Sequence, residues 1–177
     1  MLKLAALVLA AASTASTAPA LKANSPWWEK VTVTVASDGK PKSCNYESSL
    51  SPAKVTACEV SGGGATAAAA GAGSASKKDE VTRITFERRF TPGTQPAATQ
   101  VGAGDTLLGS QVMALAIDGA GAVKGCKIVS RDGEMTPDYG CEDASAEKFE
   151  ASADRSADHS LQGYMTILVY GHDEHVV

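Results

Sequence analysis

The chain has 177 residues, 44% of them hydrophobic but only 5% aromatic, and a formal net charge of −4. That length suits one medium domain or two small ones, and the acidic balance, with a pI near 5.4, lacks the electrostatic footprint of a nucleic-acid binder. A core built from so few large side chains is marginal by itself and calls for covalent support.

Residues 1–20, MLKLAALVLAAASTASTAPA, read as a signal peptide. Lys3 is followed by the apolar run Leu4–Ala12 and then by small residues ending in Ala18-Pro19-Ala20, an A-x-A-like cleavage site. The apolar run is about half of the roughly 20 residues that a membrane-spanning helix needs. Cleavage is therefore expected, with no stable membrane span afterwards; an uncleaved anchor is the competing reading. No cysteine lies near the cleavage site, which argues against a lipoprotein. The mature chain would begin near Leu21 and reside in the periplasm or be secreted.

Trp27-Trp28 either plug the core of a small Ala-rich domain or offer an exposed aromatic contact to a partner or an envelope glycan. Val31–Val35 alternates apolar and polar residues as a half-buried strand does. The turn Ser37-Asp38-Gly39 follows, then a second strand, Lys42–Tyr46, carrying Cys44. Ser51-Pro52 reads as a helix N-cap and first helical position, with Cys58 in the first turns of the helix. The stretch GGGATAAAAGAGSAS (62–76) favours a flexible loop, with a short helix in Ala67–Ala70 as the alternative. FERRF (86–90) reads as a strand with one buried face rather than as a basic binding site. Residues 93–109 read as a linker.

The same order then recurs. Val112–Ile117 is an apolar strand and Asp118-Gly119-Ala120-Gly121 a turn, and Val123–Val129 carries Cys126. Thr136-Pro137 repeats the helix start, and Pro137–Arg155 is a charged, helix-tolerant stretch anchored by Phe149. A last strand covers Tyr164–Tyr170. Ile84 and Phe86 should correspond to Ile167 and Val169, all facing inward. The expected fold is α+β: two tandem β-β-α-β modules, 21–92 and 110–177, each with a small antiparallel sheet and one helix.

Four cysteines in an exported chain read as two disulfides, with three possible pairings. Their matching places in the repeat select Cys44–Cys58 and Cys126–Cys141. Each would contribute about 3 kcal/mol in the chain-entropy model. Zinc is the competing use, but no C-x2-C spacing supports it.

The first repeat, VTVASDGKPKSCNYESSLSPAKVTAC, and the looser second copy, ALAIDGAGAVKGCKIVSRDGEMTPDYGC, resemble TonB C-terminal-like domains of the cysteine-bearing kind found in exported bacterial proteins. The resemblance implies the β-β-α-β module and protein–protein recognition, in which an extended peptide of an envelope protein adds to a sheet edge. The chain lacks the lasting membrane helix and long Pro-rich spacer of an energy transducer. A freestanding, non-enzymatic module without a cofactor is therefore expected. The expected binding edge is the last strand, with Tyr164, Thr166, Leu168 and Tyr170 on one face and Met165, Ile167 and Val169 on the other. FERRF is the second candidate, and a strand buried inside the sheet is the competing reading.

A different class of function would use the C-terminal GHDEHVV. There His172 and His175 flank Asp173 and Glu174, with His159 nearby, as in a metal-binding protein or an exported enzyme. On an extended chain His172 and His175 point to opposite faces. No G-x-S-x-G, C-x-x-C or G-x-G-x-x-G motif supports catalysis, redox chemistry or phosphate binding. The oligomeric state is not legible in the sequence.

Overall fold

The computed structural model describes residues 20–51, 56–57, 80–97, 100–152 and 159–175. In chain order the elements are β1 (Trp27–Ala36), β2 (Pro41–Ser48), β3 (Thr56–Ala57), β4 (Glu80–Pro92), β5 (Thr106–Ile117), β6 (Val123–Gly133), α1 (Cys141–Ala146) and β7 (Leu161–His175). The strands form one sheet in the order β3-β2-β1-β4-β7-β5-β6, and every neighbouring pair is antiparallel.

Each half keeps the predicted strand-turn-strand opening. Gly39 (φ +81°) and Gly121 (φ +83°) supply the left-handed backbone that the two hairpin turns require. In each half the final strand returns to the far side of the first, giving β2-β1-β4 and β7-β5-β6. The halves then join edge to edge through β4 and β7, from Glu80↔His175 to Pro92↔Gly163.

This architecture corrects the α+β expectation of one helix per module. The fold is a predominantly antiparallel β-sheet, and α1, with six residues, is the only helix among the described residues. Pro137 does not open a helix. The chain stays irregular to Gly140, whose N–H donates to Asp143 Oδ2 at 2.7 Å, and helical hydrogen bonding starts only there. Glu147 is already extended (φ −66°, ψ 151°), and Lys148 and Phe149 form isolated β-bridges. Gly, Ser and Asp scattered through this stretch offer the backbone alternatives to a helix. In the first half, Thr56–Ala57 is a strand paired with Asn45 and Tyr46, within the region where a helix was expected. The Gly/Ala stretch 62–76 lies outside the described residues. The linker also ends earlier than expected, because β5 already begins at Thr106.

The core lies on the face that carries the cysteines. Trp27, Phe90, Met165 and Met113 stand abreast through successive strand pairs, flanked by Leu115, Ile117 and Ile167. Across them runs a cover made of Leu21, Ala144 and Phe149. Phe90 is stacked on Trp27 with ring centroids 5.8 Å apart and tilted against Phe149 at 5.1 Å. Trp27 is thus a core residue, whereas its neighbour Trp28 is 37% exposed, with the Lys30 ammonium 5.3 Å from its ring centroid. The alternation of strand side chains splits the pair in this way.

A charged network fastens the cover to the sheet. Arg88 donates from Nε to Glu29 Oε2 at 2.6 Å and pairs through Nη1 with Glu147. Tyr139 donates to Glu147 at 2.9 Å, and Tyr46 donates to Glu29 at 2.6 Å. Burial opposes the charge of Arg88, but Glu29 and Glu147 outweigh it and hold its pKa above the ordinary value. Burial, with the Glu147 carboxylate beside it, pushes the Tyr139 hydroxyl up. Cys126 and Cys141 are disulfide-linked with a Cα–Cα distance of 5.5 Å, as predicted. Cys44 is also disulfide-bonded, and its expected partner Cys58 lies outside the described residues.

The repeat is inexact in register. Cys44 lies opposite Val33, which lies opposite Ile84, whereas Cys126 lies opposite Leu115, which lies opposite Gly163. Ladder position therefore equates Ile84 with Gly163, not with Ile167. The predicted face holds, but Phe86 is 47% exposed while Val169 is fully buried.

Gly163 is needed where it sits. A Cβ there would lie 2.4 Å from the Phe90 ring, which is hemmed in by Trp27 and Phe149. Gly163→Ala is expected to destabilise by about 1–3 kcal/mol, lowering the thermal midpoint by roughly 2–4 °C per kcal/mol. Gly125→Ala, whose methyl would meet Ala116 Cβ at an ordinary 3.6 Å, should stay within about 0.5 kcal/mol. Paired thermal unfolding of the two variants is the check.

Candidate functional site

The topology relocates the candidate binding edge. Tyr164–Tyr170 belongs to β7, which is paired with β4 along one side and β5 along the other. Thr166 stands between Arg89 and Val112, and Leu168 between Glu87 and Ser110. Both are buried, and neither edge of their strand can accept another. Tyr164 and Tyr170 share their face and are half-buried. Tyr170 donates to Glu87 Oε2 at 3.0 Å, and Arg89 donates to the other Glu87 oxygen at 2.6 Å. Burial and the Glu87 charge push the Tyr170 hydroxyl above its ordinary value. FERRF fails as an edge for the same reason, since β4 lies between β1 and β7. Its two arginines point to opposite faces, Arg88 into the cover network and Arg89 to Glu87. The competing reading, a last strand inside the sheet, is the one the topology matches.

Two strands bound the sheet. On one side β2 is flanked by the two-residue β3, and the chain beyond Ala57 lies outside the described residues. On the other side β6 ends the strand order; Ala122, just ahead of it, bridges Lys148, and beyond that bridge no described strand pairs with the outer edge of β6. Lys124, Gly125, Lys127 and Val129–Gly133 are exposed. An edge strand of this length presents alternate N–H and C=O groups to solvent.

The sequence holds this strand firmly from the inner side. Cys126 and Ile128 pack against the core, and the disulfide ties Cys126 to α1. Arg131 donates from Nε to Gln111 Oε1 at 2.8 Å, and Gln111 passes the link on to the Tyr139 carbonyl at 3.0 Å. At the turn into β6, Asp118 Oδ1 accepts the Ala122 N–H at 2.8 Å, and Lys124 lies 3.4 Å from the other oxygen. The Ala122 hydrogen bond, followed by that of Lys124, holds the Asp118 carboxyl below the ordinary range. Gly121 permits the close approach of the cover, since a Cβ there would lie 2.0 Å from the Phe149 carbonyl oxygen.

Two register shifts interrupt the β5–β6 ladder and leave Lys124 and Val129 as the extra residues. Bulges and lysines on an edge discourage indiscriminate pairing. The sequence identified this strand through its cysteine but gave it no function. The usable signal was its place as the second strand of a hairpin followed by a long crossover, which sends the chain away from it.

His172 Nδ1 lies 3.1 Å from Asp105 Oδ1, just ahead of β5, and His175 lies three residues further along the same extended strand. Among the described residues no group of three or more His, Cys, Asp or Glu is placed to hold a metal. No helix among them is long and apolar enough to cross a membrane.

Hydrogen exchange should separate the strands. Amides of Tyr164–Tyr170 are expected to exchange uniformly slowly, whereas those of β6 should alternate between slow and fast. The turn adds a pH dependence. Because the Asp118 pKa is depressed in the fold, its contribution is complete above the ordinary Asp value of about 3.9. It is lost as pH falls through the lower folded value. The Ala122 amide should then lose protection in acid, and Asp118→Asn should remove that pH dependence.

Comparison of the chain with family models, curated proteins and solved structures returns no match.

Proposed function

We propose that this chain is an exported, non-enzymatic protein-binding module that recognises an extended segment of an envelope protein by strand addition to β6. The observation that carries the reading is the outer edge of β6, an eleven-residue strand with no further strand paired beyond it among the described residues. Strand addition draws its affinity from such main-chain groups and its selectivity from the side chains beside them. The disulfide, the core packing and the Gln111–Arg131 link order the edge before a partner arrives, which lowers the entropy lost on binding. Lys124, Lys127 and Arg131 along the exposed strand favour a partner with acidic side chains opposite them. The resemblance to TonB C-terminal-like domains points to the same mode of recognition. Export is supported by the signal-like N-terminus and by a disulfide, which persists in oxidising compartments. No cofactor enters this reading.

The test places a photo-crosslinking residue at position 127 and, separately, at position 166, and recovers adducts from the cell envelope. An adduct at 127 that is absent at 166 is expected. The matching partner peptide should then shift β6 amide resonances and slow their exchange. A peptide that instead perturbs the β2 side, or no adduct at 127, would overturn the assignment.

A further inference from the structure

The face of the sheet opposite the core carries a polar groove of about 250 Å3. Successive rungs of the ladder build its floor. In the middle rung Asn45, Thr32, Thr85 and Tyr170 stand abreast on β2, β1, β4 and β7. Glu47 and Lys30 close one end, and Thr34, Arg83 and His172 form the rung at the other, beside Asp105. Alternation along β1 and β4 sends these side chains away from the face of Val31, Val33 and Phe86. The charges of the groove are met within it. Lys30 Nζ lies 2.9 Å from Glu47 Oε2, and His172 Nδ1 lies 3.1 Å from Asp105 Oδ1. In formal charge Lys30 and Arg83 balance Glu47 and Asp105, so neither sign dominates and an ion gains little by entering. The two carboxylates stand at opposite ends, and no metal-holding group of His, Cys, Asp and Glu exists among the described residues. β1, β4 and β7 are interior strands, so the groove offers no main-chain edge to a peptide.

We propose that this groove binds an uncharged saccharide. The chemistry it offers is hydrogen bonding in both directions. The hydroxyls of Thr32, Thr34 and Thr85 each donate and accept, and the Asn45 amide donates through nitrogen and accepts through oxygen. The hydroxyls of a sugar ring have the same dual character. Thr32 Oγ1 and Thr85 Oγ1 already lie 3.1 Å apart, so the groove presents adjacent hydroxyls at hydrogen-bonding distance. Tyr170 adds a fixed ring beside them, because its hydroxyl donates to Glu87 Oε2 at 3.0 Å. The apolar body of that ring suits the C–H face of a sugar, while its polar tip is engaged elsewhere. The groove is smaller than the roughly 300–1,000 Å3 of sites for drug-sized ligands, which fits one or two sugar rings. Its floor lies on central strands, so little order has to be gained on binding. The site is independent of strand addition to β6, at the far side of the sheet.

Titration of the isotopically labelled full chain, followed by amide resonances, tests this. The probes are glucose, galactose, mannose, N-acetylglucosamine and their disaccharides, with galacturonate and glucosamine as charged counterparts. At least one neutral sugar should shift the resonances of Thr32, Asn45 and Thr85 and leave those of β6 in place. Thr32→Val keeps a β-branched side chain in the strand and removes only the hydroxyl. It should weaken binding about fivefold, the worth of one hydrogen bond of about 1 kcal/mol. Asn45→Ala, at an exposed position where folding is little affected, should weaken it to a similar degree. Absence of these shifts with every neutral sugar would overturn the proposal. So would tighter binding of a charged counterpart, or unchanged affinity in both variants.

Discussion

Thirteen residues of β4 lie opposite thirteen of β7, and most of the molecule's properties depend on that ladder. It turns two three-stranded halves into one sheet, with β4 and β7 at its centre. Phe90 and Met165, paired across it, lie at the middle of the core. Such a small number of large side chains would be thin for two separate cores. Joined across the ladder, Trp27 and Phe90 from the first half pack with Met113, Phe149 and Met165 from the second. The same pairing consumes the two longest strands, which would otherwise have been edges of the sheet. What it leaves for a partner is a strand with bulges and lysines, which is a more selective surface.

The cover over the core is secured by three chemically different devices. The disulfide fixes α1 to β6, the Arg88 network joins Glu147 and Tyr139 to the sheet, and Leu21 bridges the cover at Phe149. Arg88 is the costly member, because burial works against its charge. Two carboxylates and a tyrosine hydroxyl surround it, so the guanidinium is met rather than merely excluded from water. The network also fixes the meaning of FERRF: one arginine organises the interior and its neighbour organises the opposite face.

Hairpins were legible in the sequence because their signals are local. Alternation in Val31–Val35, glycines at the turns and cysteines at matching places located β1, β2, β5 and β6, and the Cys126–Cys141 bridge followed from the repeat. The helices were misread because Ser/Thr-Pro marks a possible helix start without requiring one. After Thr136-Pro137 the residues that followed, Asp138, Gly140 and Asp143 among them, delayed and shortened it. The candidate site was misplaced for a non-local reason. Alternating side chains show that Tyr164–Tyr170 is a strand, but its neighbours are set by residues about 50–85 positions away in the chain, and single-strand periodicity does not encode them. Only one strand can end a sheet on each side, and which one does so depends on how the halves dock.

The β4–β7 ladder also bears on how the chain reaches its fold. Phe86 meets Val169 across 83 residues of sequence, so the central pairing is among the last contacts that loop closure allows. Before it forms, each half is a three-stranded sheet with a long unpaired edge awaiting the other. Nothing in the ladder requires that both edges belong to one molecule. At high concentration, β4 of one chain can close on β7 of another, and reciprocal exchange yields a domain-swapped dimer with the same ladders and the same core. The connection between β4 and β5, with glycines at 93, 102 and 104, would serve as the hinge. Dilute conditions during folding therefore favour the closed monomer, and crowding of nascent chains favours the exchanged form.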